Sequence, residues 1–254
     1  MDELQKIQHP PIVEAILDIE CDLPLNQHLP LLESTAKERF KDRYPKFRTQ
    51  FAQEHQIATS PDGPPQISVL PAGIQAFHFV QDDEKQLVQV RLQGFSFNRL
   101  APYTSLDDYL PEIKRTWNLY TEIANPVQIR MIRLRYINRI ILPFTEGKLE
   151  VDDYFKVGPQ LPDEEDNLRF VGFFNQHAAV DMQTGHQVNI VLTSQEPEKG
   201  YLPIIFDNGV AAAGPGEAEN WVWISGRIQS LRDLKNRIFK NTLTKQCLEL
   251  FQQP

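Results

Sequence analysis

The sequence predicts an α+β fold in which antiparallel sheets are covered by helices, in two packed subdomains closed by a long C-terminal helix. Three observations predict it. Residues 127 to 143, VQIRMIRLRYINRIILP, alternate with a period of two. Ile132, Leu134, Tyr136, Asn138, Ile140 and Leu142 form a mostly apolar row, and Val127, Ile129, Met131, Arg133, Arg135, Ile137, Arg139 and Ile141 form the opposite one. Residues 12 to 22 alternate in the same way, with Val13, Ala15, Leu17 and Ile19 on one face and Glu14, Asp18, Glu20 and Asp22 on the other. Residues 224 to 251 instead repeat apolar side chains at helical spacing, as Ile228, Leu231, Leu234, Ile238, Leu243, Cys247 and Phe251, with a break near 241 to 244.

In chain order, Pro10 and Pro11 give an extended entry to the first strand. Leu31, Leu32, Ala36, Phe40 and Tyr44 then predict an amphipathic helix between Pro30 and Pro45. Residues 47 to 66 are polar and hold Pro61, Gly63, Pro64 and Pro65, which reads as a loop. A hairpin is predicted from residues 76 to 80 and 87 to 90 about 82 to 85. Its second strand changes phase at Gly94, which reads as a bulge.

Ser105 before Leu106, Asp107 and Asp108 is an N-cap signal, and Tyr109, Ile113, Trp117, Tyr120 and Ile123 mark the helix that feeds the arginine strand. The acidic, proline-bearing run at 158 to 167 follows a short helix at 152 to 155. It suggests a boundary between an N-terminal α+β subdomain, 1 to 145, and a β-rich C-terminal subdomain with the terminal helix, 146 to 254. Residues 168 to 180, 187 to 193 and 201 to 206 read as three strands that either form a second sheet or extend the first. The small residues of 207 to 220 read as a loop.

A chain of 254 residues buries an ordinary core without staples, and its net charge of -8 argues against general nucleic-acid binding, which needs a basic surface. Cys21 and Cys247 have no metal-ligand or disulfide-framework spacing, and a reducing cytoplasm suits them. The start of the chain has no basic and apolar signal region, and no apolar run approaches the roughly 18 residues of a membrane span. The expectation is a cytoplasmic protein without membrane contact.

The chemistry-bearing residues centre on the arginine strand. Arg133, Arg135 and Arg139, with Arg91 and Arg99 of the neighbouring hairpin and Tyr136, are the candidate ligand-binding set for a phosphate, nucleotide or carboxylate. The competing reading is a layer of structural ion pairs with Glu14, Asp18 and Glu20, and it is favoured because charges on a sheet are ordinarily paired. Asn98 and Asn138 occupy equivalent places in FNRL and INRI, so the two segments could lie side by side, their amides serving strand-end hydrogen bonds. Asp233, Lys235, Asn236, Arg237 and Lys240 decorate the terminal helix as a partner surface or, the favoured reading, a solvated helix face.

The six histidines show no metal-ligand spacing, Ser96 in GFSFN lacks the context of a nucleophile elbow, and neither a Walker loop nor GxGxxG occurs. No catalytic residue, metal or cofactor is expected.

The segments PPIVEAILDIE, QVRLQGFSFNRLAPY, the helix bearing Trp117 and Tyr120, IRLRYINRIILP and SLRDLKNRIFKNTLT follow one another in this order. As a set they resemble a sporadically distributed bacterial and archaeal family of uncharacterised proteins of about this size, over nearly the full length. The resemblance implies a microbial, cytosolic α+β protein and supplies no site residue. Its sporadic distribution implies an accessory or defence-type role through binding another protein. The expected function is therefore a non-enzymatic binding or interaction protein, able to pair with itself through sheet edges. The alternative is a binder of an anionic small molecule on the arginine strand.

Overall fold

The computed structural model of the chain describes residues 7, 9–60, 63–144, 150–160, 162, 168 and 170–252, and the side chains of all of these except 53–60 and 63–72. The elements are β1 (Ile12–Asp22), α1 (Leu29–Phe40), β2 (Lys46–Ser60), β3 (Gly63–Val80), β4 (Gln86–Arg91), β5 (Gly94–Leu100), α2 (Leu106–Ala124), β6 (Gln128–Pro143), a short 3-10 helix (Val151–Asp153), β7 (Phe174–Val180), β8 (Gln187–Ser194), β9 (Tyr201–Gly216), α3 (Trp221–Thr242) and α4 (Lys245–Glu249). The strands form one nine-stranded sheet in the order β2-β3-β4-β5-β1-β6-β9-β8-β7, every neighbour antiparallel. The fold is α+β, with the long helix at the C-terminal end.

Register explains why one face is apolar. A single row crosses all nine strands, Phe47, Phe79, Val88, Phe97, Leu17, Leu134, Val210, Val188 and Ala179, and most of it is buried. On this face α1 places Phe40 against Phe79, and α2 places Trp117 and Tyr120 against Phe95. The apolar side of α3, Ile224, Ile228, Leu231 and Leu234, joins the same core. The adjacent row, His78, Gln89, Ser96, Asp18, Arg133, Ala211 and Gln187, points to the opposite face, which no described helix covers.

β6 carries out the predicted alternation. Ile132, Leu134, Tyr136, Asn138, Ile140 and Leu142 are all buried. Ile129, placed by parity on the arginine side, is buried too, because the ladder shifts register beside it, between Glu20 and Cys21 of β1 and between Ile129 and Met131 of β6.

Strands from both sides of residue 145 lie in this one sheet, since β6 pairs with β1 on one edge and β9 on the other. The last three strands extend the first sheet. Apolar residues gather in two clusters. The smaller one joins Ile140, Leu142, Phe155, Phe206, Leu243 and Cys247, where the break between α3 and α4 is held by Lys156 N–H to Thr242 O (2.8 Å) and Thr244 N–H to Tyr154 O (3.0 Å).

Three readings need correction. Residues 47 to 66 are largely strand: β2 and β3 pair from Lys46 with Val80 to Ser60 with Gly63, while Pro61 and Asp62 lie outside the described residues. Backbone ladder bonds supply that pairing and leave no mark in side-chain periodicity. Gly94 is not a bulge; it opens β5 after a two-residue turn, paired with Arg91, so the phase change is the chain reversing. The expected loop from 207 is mostly β9, which runs to Gly216. Small side chains there lie between packed neighbours: Ala211 and Ala212 are buried, and a Cβ on Gly216 would meet the Trp223 ring.

Candidate functional site

The arginines of the open face are already neutralised. Asp18 accepts from Arg91 Nη2 and, at 3.3 Å, from Arg133 Nη1, while Glu20 takes the same Arg133 nitrogen. Ser96 Oγ donates to Asp18 at 2.5 Å, and Asn98 Nδ2 donates to Glu14 at 2.7 Å. Arg135 meets Asp207 with both Nε (2.8 and 2.9 Å) and Nη2, and these hydrogen bonds hold its pKa above the usual arginine value. Arg139 reaches Gln195 (3.0 Å) and Glu198 (2.8 Å). Arg133 and Arg135 also line an open groove of 640 Å³ over Gly209 and Ala211, but each arrives there with its carboxylate. An added anion would have to displace an acid already in place.

The other two residues of the candidate set lie on the helix-covered face. Arg99 donates to Pro102 O at 3.5 Å and stands 5.3 Å from the Tyr109 ring centroid. Tyr136, an even position of β6, projects toward α3. The set is therefore split between two faces. The asparagine echo is split as well: β1 lies between β5 and β6, Asn98 being opposite Ile16 and Asn138 opposite Ile12.

A different constellation lies under α3. The chain before β1, the residues leading into α2, β6 and α3 line an open pocket of 530 Å³. Its apolar wall includes Pro10, Pro11, Ile12 and Phe239, and its polar groups come from Tyr103, Ser105, Asn138, Arg232, Lys235 and Lys240. No carboxylate lines it among the described residues.

Lys235 is the unusual member. Expected on a solvated helix face, it is only 8% exposed, because its turn of α3 lies on β6 and β9. Its Nζ sits 3.8 Å from the Tyr136 ring centroid and makes no hydrogen bond or ion pair among the described residues. Loss of water disfavours the ammonium, and the Arg232 guanidinium adds to this, so the amine is pulled from 10.5 down to about 7. Arg232 keeps its own charge through a two-pronged bond to Asp107 (2.7 and 2.9 Å).

The neighbouring groups are equally constrained. Tyr136 and Tyr103 share a 2.6 Å hydroxyl bond, and burial pushes Tyr136 up to about 12 and Tyr103 upward as well, so both remain protonated at neutral pH. Asn138 Nδ2 donates to Phe206 O (3.0 Å), but its buried Oδ1 has no partner among the described residues. The Lys235 cation and the Tyr103–Tyr136 hydroxyl pair thus line one pocket, with the Asn138 amide buried behind it.

Sequence reasoning missed Lys235 although a signal was present: it lies four residues after Leu231 and four before Phe239, on the apolar stripe of α3. No group of three His, Cys, Asp or Glu among the described residues could hold a metal ion, and no described helix is long and apolar enough to cross a membrane. No protein-family model matches the chain, and no curated protein matches it.

Proposed function

We propose that this protein binds a small organic anion in the cavity beneath α3. The observation that carries the reading is Lys235, 8% exposed beside a 530 Å³ pocket, with no carboxylate among the described residues to neutralise it. A buried cation without a counter-charge is costly, and an incoming carboxylate or phosphate would remove that cost while Lys240 adds to the attraction; Arg232 already holds Asp107. The segments behind the family resemblance supply much of the wall: Pro10 and Pro11, Tyr103, Tyr136 with Asn138, and Arg232 through Lys240. A cytoplasmic location belongs to the same reading, supported by two buried free thiols in separate clusters.

Thermal unfolding with a panel of carboxylates, sugar phosphates and nucleotides tests it. At about 100 times Kd a ligand adds roughly 2.7 kcal/mol, a rise of several degrees in Tm. The rise should vanish in Lys235→Met and persist in Arg133→Ala. The reverse pattern would return the site to the open face, and no response to any anion would sink the proposal.

A second reading, a protein-interaction surface or homodimer, is favoured by the uncovered sheet face. Its charges cancel in pairs, and Phe174 (67% exposed), Val180 (54%) and Ile141 (40%) stand at its edge. Sedimentation of the purified chain separates the two, since a stable dimer through this face would appear without any ligand.

A further inference from the structure

We infer that Lys235 bonds covalently to its ligand, taking the carbonyl carbon of a 2-oxo carboxylate onto Nζ as an imine. The inference rests on the anion-binding reading above and names the class of anion. A lysine that serves only as a charge is best kept protonated, and a neighbouring acid does this; Lys235 has none among the described residues. Its Nζ lies 3.8 Å from the Tyr136 ring centroid and makes no hydrogen bond among the described residues, so no donor occupies the lone pair of the neutral amine. Burial and an adjacent cation together are the conditions under which a lysine amine becomes a nucleophile near neutral pH, and both act on Lys235 to lower its pKa.

The rest of the cavity suits such a ligand. Lys240 favours the carboxylate end, and the apolar wall of Pro11, Ile12 and Phe239 accepts a hydrocarbon tail. Tyr103 and Tyr136 stay protonated in the same wall, and since one donates to the other, the pair leaves one O–H to donate.

The step balances without a further reagent. The Nζ lone pair forms the C–N bond, the carbonyl π pair moves to oxygen, and one Nζ proton transfers to that oxygen to give a carbinolamine. Loss of the C–O bond with the second Nζ proton releases water and leaves C=N. Amine and ketone become imine and water, with no change of oxidation state.

Cyanoborohydride trapping tests the inference on the full chain near neutral pH. Pyruvate, 2-oxobutanoate and 2-oxoglutarate serve as carbonyl probes, with propionate as a carboxylate that has no carbonyl. Peptide mass mapping should place the reduced adduct on Lys235 at no less than about tenfold the level of any other lysine, because an ordinary lysine is almost wholly protonated there. The adduct should be slowed by propionate and absent in Lys235→Met. Lys235→Arg, which keeps the cation and has no amine to condense, should keep the Tm rise with propionate and form no adduct.

A Tm rise with the probes but no adduct at Lys235 would overturn the imine and leave anion binding standing. Neither Tm rise nor adduct would overturn both. Adducts spread evenly over surface lysines, unchanged in Lys235→Met, would also overturn the imine.

Discussion

A lysine that loses its water without gaining a carboxylate weakens the fold that holds it, and among the described residues Lys235 has no carboxylate partner. The sign of its pH dependence follows from the lowered pKa. Below about 7 both folded and unfolded chains carry the proton and the full cost is present. Between about 7 and 10.5 the unfolded chain binds more protons, so stability rises with pH. Tyr136 from β6 lies against Nζ, and the charged and titratable groups that share its pocket are Arg232 and Lys240 from α3 and Tyr103, with Asp107 held by Arg232. Urea unfolding should show the wild type gaining on the order of 4 kcal/mol over Lys235→Met from pH 7 to 10. Below pH 7 the methionine variant should be the more stable, and parallel profiles would contradict the assignment. The arginine pairs follow a different rule. The Arg133 and Arg135 side chains are 40% and 50% exposed, so each pair contributes about 1 kcal/mol or less, and they serve mainly to leave no charge unanswered. Asp18 and Glu20 were legible as partners because they alternate along one strand; Asp207 was not, because its segment reads as a loop.

Among the elements, the β4–β5 hairpin depends on one position. Gly94 has φ of +143°, and a Cβ there would run into the carbonyl oxygen of Ile19 on the neighbouring strand. Gly94→Ala should therefore cost about 3 kcal/mol or more, read from the urea midpoint, where an ordinary exposed glycine would show a far smaller change. β1, β6, α1, α2 and α3 were legible because each pairs a periodic apolar stripe with an end signal, such as Ser105 Oγ accepting from Asp108 N–H at 3.3 Å. β2 and the second half of β9 were not legible. The first is specified by ladder bonds to β3, and the second by small residues between β6 and β8, a composition that on its own also describes a loop.

For the molecule as a whole, β6 is the shared member. It contributes Ile132 and Leu134 to the larger cluster and Ile140 and Leu142 to the smaller, while α3 spans both through Leu231 and Phe239. Such sharing couples the two halves, and heat or urea should unfold the chain in one transition by both tryptophan fluorescence and circular dichroism. Two separated transitions would instead bear out a division near residue 145.

The sequence by itself determined which face of each periodic element is apolar, the presence of both helix and antiparallel strand, and the long helix at the end, because these depend on side chains a few positions apart. Only the tertiary structure decided that nine strands share one sheet, that the arginines come already paired, and that Lys235 is buried beside a pocket with no acid among the described residues. Those facts depend on groups brought together from distant parts of the chain, and the free energy of a buried charge is set by such neighbours, which no local pattern records.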